Sequence, residues 1–178
     1  MSAPQPYPED HDTAGRVATT LVLAYTALHR AAAHAATLTD TDPNYHGTRG
    51  SDLQRAITDS RIAIENAVCV HELAQFDPFW ARPRSPHQDG PALTLAVTGA
   101  HQHLADALAE AFTALRAAAD DAETLIASAH HYANHHGYIG GLGWDLETAI
   151  DDALIAVRDA ARSAELATTG QAFWKDEL

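Results

Sequence analysis

Residues 91–136 read PALTLAVTGAHQHLADALAEAFTALRAAADDAETLIASAHHYANHH, and their spacing decides the fold. Leu93, Val97, Ala100, Leu104, Leu108, Ala111, Leu115, Ala118, Ala122, Leu125, Ala129 and Tyr132 recur every three or four positions without a phase break. That period puts them on one face of an α-helix. Pro91 suits a first helical turn, where its missing N–H costs nothing. Between Gly99 and Gly137 there is no further glycine or proline. The stretch therefore predicts one unusually long third helix over 91–136, about 45 residues and roughly 70 Å at 1.5 Å per residue. The competing reading is a break at Asp120-Asp121, where Asp120 and Glu123 resemble a helix start.

The same period extends outward on both sides. Val17, Leu21, Ala24, Tyr25, Leu28, Ala32 and Ala35 define a first helix over 13–38, with Asp12 or Thr13 as its N-cap. Ser51 and Gln54 form a capping-box signature ahead of Leu53, Ile57, Ile64, Val68 and His71, giving a second helix over 51–76. Asp77-Pro78 stops it. The glycines at 137, 140, 141 and 143 read as a flexible turn, and Leu146, Ile150, Leu154, Val157, Ala161 and Ala164 mark a fourth helix over 145–167. No strand pattern competes. The expectation is an all-α, antiparallel four-helix bundle. It comprises an extended arm at 1–12, a single bundle domain at 13–169 and a tail at 170–178. A third helix longer than its neighbours leaves apolar surface to cover, so a homo-oligomer is expected.

Composition narrows the function. The chain has 178 residues, a formal net charge of −13, 38 alanines and a single lysine against ten arginines. An acidic balance argues against direct binding of nucleic acid. No apolar run reaches the roughly 18 residues of a membrane span. Cys69 is the sole cysteine, so no disulfide framework exists. Flanked by Val68 and Val70, it reads as a buried and inert thiol. The N-terminus has neither a basic start nor an apolar stretch, and the closing Lys175-Asp176-Glu177-Leu178, which spells an ER-retention address, has meaning only in a chain that enters the ER and reads here as coincidence. The expected location is the cytoplasm. Asp151, Asp152, Glu147 and Asp159 fall on an outer face, and Arg116–Asp120 and Arg61–Glu65 are spaced for same-helix pairs.

Twelve histidines are the main functional clue. On a continuous helix His131 and His135 share one face and could hold a transition ion such as Zn, Ni or Fe, with His71 as third ligand. His130 and His136 flank them. No Glu-x-x-His occurs, which excludes a di-iron carboxylate bundle. The run His131-Tyr-Ala-Asn-His135-His136-Gly-Tyr-Ile139 resembles the His-x-x-x-His segment of DinB-like metal-dependent thiol transferases. That resemblance implies a third histidine from an earlier helix, for which His46 or His71 is available. Phe79 and Trp80 in a proline-rich connection, and Phe173 and Trp174 in the tail, are candidate partner contacts.

Three functions follow from these features. The first is a non-enzymatic accessory or regulatory bundle that acts by self-association or through a protein partner. The second is a metal-binding bundle using His131 and His135. The third is an acidic decoy of a basic, nucleic-acid-binding protein.

Overall fold

In the computed structural model α3 spans Ala100–Ser128 and runs without interruption through Asp120-Asp121. The structure describes residues 9–75, 99–131 and 133–167; the side chains of 9–12, 133–135 and 166–167 are not described. The other helices are α1 (Glu9–Thr41), α2 (Thr48–Gln75) and α4 (Gly141–Ala167). Short 3₁₀ turns at Pro43–Tyr45 and Ala133–Tyr138 precede α2 and α4. No strand occurs among the described residues. Phe79, Trp80, Phe173, Trp174 and the expected start of the third helix lie outside them.

Several expected boundaries move. The third helix ends at Ser128 rather than at 136, because the Ala129 and His131 amides bond three residues back, to Ile126 and Ser128, and tighten the last turn. The first helix starts at Glu9, so Thr13 is a buried position inside it and not its cap. The second starts at Thr48, and Gln54 donates to the Thr39 hydroxyl at 3.2 Å instead of closing a capping box. The fourth begins at Gly141, which makes Gly141 and Gly143 part of its first turn.

The inner stripes match the periodicity. Leu104, Leu108, Leu115 and Leu125 of α3 are fully buried, as are Val17, Leu21, Leu28 and Leu38 of α1. Ile57 and Ile64 of α2 and Leu146, Ile150 and Val157 of α4 complete the core. Alanines fill most remaining inner positions and let the backbones approach, while the larger side chains supply most of the buried apolar area. The most extensive contacts join α1 to α3 and α2 to α4. Contacts along these pairs run in opposite senses. Arg16 meets Asp121, Arg30 meets Glu110, His34 meets His103 and Asp42 meets His101. Tyr45, just before α2, reaches Ala164 near the end of α4, and Tyr138, just before α4, reaches His71 near the end of α2.

Those reciprocal contacts reflect an internal duplication. Residues 45–53, YHGTRGSDL, and 138–146, YIGGLGWDL, share the pattern Tyr-x-Gly-x-x-Gly-x-Asp-Leu, 93 positions apart. The match continues down both helices: Ala56/Ala149, Ile57/Ile150, Asp59/Asp152, Ile62/Ile155, Ala63/Ala156, Ala67/Ala160 and Glu72/Glu165. The backbone repeats as well. Gly47 and Gly140 both take left-handed conformations, with φ of 76° and 82°, which favours glycine. The Ser51 amide bonds the Gly47 carbonyl, and the Trp144 amide bonds that of Gly140. A β-carbon at Gly50 would collide with the Tyr45 carbonyl oxygen, and one at Gly143 with that of Tyr138. The glycine-rich segment before α4 is therefore a constrained turn, not a flexible one.

Candidate functional site

Among the described residues the buried polar side chains are Thr13, His34, Tyr45, Ser60, His71 and Tyr138, and the two tyrosines lie at opposite ends of the bundle. At the first end, Asp42 follows α1 and fixes the 3₁₀ turn by accepting the Asn44 amide at 2.9 Å. That amide is the main reason its carboxyl lies below the ordinary carboxylate range, with help from His101. Nε2–H of His101, in the first turn of α3, donates to the other Asp42 oxygen at 2.8 Å. The Tyr45 hydroxyl donates to Nδ1 of the same ring at 3.1 Å and lies 3.5 Å from the Ala164 carbonyl oxygen. Burial, with a smaller push from Asp42, raises the phenol to about 12, so it stays protonated as a donor. One chain of hydrogen bonds thus ties together the ends of α1 and α4, the turn before α2 and the start of α3.

On the same seam, the rings of His34 (α1) and His103 (α3) lie stacked at 5.3 Å between centroids, with planes 24° apart. His34 is buried, and its Nδ1 has no hydrogen-bond partner. Burial, then His103 and Arg30, depress its basicity. Arg30 is itself paired with Glu110 of α3.

At the opposite end, the Tyr138 hydroxyl donates to Nδ1 of His71 at 2.8 Å. Both side chains are buried, His71 to 3% exposure. Burial drives the His71 pKa down to about 4, only partly offset by the backbone of Ala14, and raises that of Tyr138. Nε2 of His71 is enclosed without a hydrogen bond of ordinary geometry. The duplicated tyrosines are thus anchored by histidines from non-equivalent positions.

His131 is exposed in the turn after α3, and the side chain of His135 lies outside those described. The two do not stand on one α-helical face, because α3 ends at Ser128 and a 3₁₀ turn begins at Ala133. His71 is committed to Tyr138, and His46 is exposed in the loop before α2. Among the described residues no three His, Cys, Asp or Glu side chains are grouped to hold an ion. The pairings that do form, His34 with His103 and His101 with Asp42, join residues 69 and 59 positions apart and carry no local sequence signal.

Two further features lie on the surface. A groove of about 340 Å³ between α3 and α4 is lined by Asp120, Glu123, Glu147 and Asp151 with Ala119, Ala122 and Ile150. Large apolar side chains also stand in solvent: Trp144 is 67% exposed, Leu73 60%, Ile155 55% and Ile62 50%. Within α2, Ile62, Cys69 and Leu73 fall at i, i+7 and i+11 on the face opposite the core. Cys69 is exposed with them, not buried as its valine neighbours suggested, since consecutive helical residues point about 100° apart. The pair expected between Arg61 and Glu65 is instead bridged by Tyr25, whose hydroxyl donates to Glu65 at 2.9 Å and accepts from Arg61 at 3.0 Å.

No helix among the described residues is long and apolar enough to cross a membrane. The chain matches no family model, no curated protein and no solved structure.

Proposed function

We propose that this chain is an acidic accessory or regulatory protein that acts by association, and that its first partner is a second copy of itself. The observation that carries this reading is the set of large apolar side chains standing in solvent: Ile62 and Leu73 on α2, Trp144 and Ile155 on α4, with Leu23 on α1. A tryptophan two-thirds in water is costly to keep there and contributes strongly once covered. Ile62 and Ile155 are duplicates of one another, so the face has approximate two-fold character, which suits an isologous contact. The opposed contacts along α1/α3 and α2/α4 support an antiparallel bundle, and the unpaired, exposed Cys69 fits a reducing cytoplasm.

Light scattering coupled to gel filtration at micromolar concentration tests the reading. The expected mass is that of a dimer, falling to that of a monomer for Trp144→Ser combined with Ile155→Ser. A wild-type monomer across the concentration range ends the self-association reading.

A basic protein partner is the second reading, favoured by the four carboxylates of the α3/α4 groove. It expects capture of such a partner to weaken steeply with salt. Capture that is unchanged between low and high salt counts against it.

A further inference from the structure

We propose that the α1–α3 seam around His34 and His103 is an acid-released joint: the rings hold the helices together while neutral and push them apart when protonated.

Two imidazoles whose centroids are 5.3 Å apart and whose planes differ by 24° make a favourable apolar stack as neutral rings. A proton on one ring sets a cation beside its neighbour, and a proton on each sets two like charges at contact. His34 cannot relieve this by turning to water, because it is 8% exposed and its unpartnered Nδ1 is enclosed. The seam has to part before that nitrogen is solvated.

The surrounding charges do not cancel the effect. On α1, Arg30 stands one turn before His34 and adds a third cation. From α3, the Glu110 carboxylate is already engaged by Arg30. From α2, the bond reaching this part of α1 is the neutral one between Gln54 and Thr39. Two turns beyond His34, the hydrogen bond between His101 and Asp42 is a separate link between α1 and α3, and it confines the opening to the stretch before it.

Burial of His34 gives the sign. Its folded form takes up a proton less readily than the unfolded chain, whose histidines titrate near 6.5. The seam is therefore fully closed above that value and loosens as pH falls through it. His71, at the far end, titrates near 4 and stays neutral over this range.

Amide hydrogen exchange of the full chain at pH 7.5 and 5.5, corrected for the intrinsic rate, tests the joint. Protection of residues 27–38 and 102–110 should fall about tenfold more at pH 5.5 than that of residues 56–68 and 149–161, which lose only what the whole bundle loses. His103→Gln alters an exposed side chain, and it should shrink the change to about threefold or less. His34→Phe should do the same. Protection that is equal at both pH values, that falls alike in all four helices, or that falls tenfold in His103→Gln overturns the proposal.

Discussion

Gly50 and Gly143 stand 93 positions apart, and each lies against the carbonyl oxygen of the tyrosine five residues before it, Tyr45 and Tyr138. Neither site has room for a β-carbon, and the blocking atom is backbone in both. Gly50→Ala and Gly143→Ala should each destabilise the fold by about 2–4 kcal/mol, the range of severe overpacking. Urea denaturation measures it, and a loss below about 1 kcal/mol at both sites would contradict the shared turn geometry.

Gly15 is the counter-case. It lies inside α1 with open space around it and an ordinary helical backbone. Gly15→Ala should raise stability by roughly 0.5–1 kcal/mol, through helix propensity alone. An upward shift in Tm by calorimetry is the expected result.

Tyr138→Phe removes the donor to Nδ1 of a buried His71 and should cost roughly 1–3 kcal/mol. Tyr45→Phe should cost less, because its partner His101 is a third exposed and water can replace the lost bond. Denaturation of the two variants side by side gives the order, and the reverse order would contradict the assigned burial.

Acid should weaken the bundle through His71. Its folded pKa of about 4 lies below the unfolded 6.5, so the unfolded chain binds more protons in that interval. The contribution is fully present above 6.5 and is lost as pH falls toward 4, amounting to about 3 kcal/mol. His71→Leu should flatten stability over pH 6.5–4 relative to wild type, as followed by denaturant midpoints. An unchanged slope would show that His71 is already charged in the fold.

The thiol of Cys69 is exposed on the outer face of α2. Ellman's reagent should therefore modify one thiol per chain readily in the Trp144→Ser, Ile155→Ser monomer and several-fold more slowly in the wild-type dimer, which covers that face. Equal rates in the two would show that α2 lies outside the contact.

Much of the architecture is legible in the sequence alone. The three- and four-residue spacing of Leu104, Leu108, Leu115 and Leu125 identified a helix and its buried face, and it did so for all four helices. Such patterns are local: one helix buries one stripe, whatever it packs against. The duplication was also present in the letters, as Tyr-x-Gly-x-x-Gly-x-Asp-Leu written twice. Its reason appears only when the glycines are seen against the tyrosine carbonyls.

The site was a different matter. His131 and His135 looked paired because they are four apart, yet helix α3 stops before either. His34 and His103, 69 positions apart, looked unrelated and stack. Cys69 looked buried between valines and faces solvent. The sequence by itself determined which residues each helix turns inward, since that depends on neighbours three and four positions away. Which histidine meets which tyrosine, carboxylate or second histidine depends on how whole helices align across the bundle, and only the tertiary structure decided that.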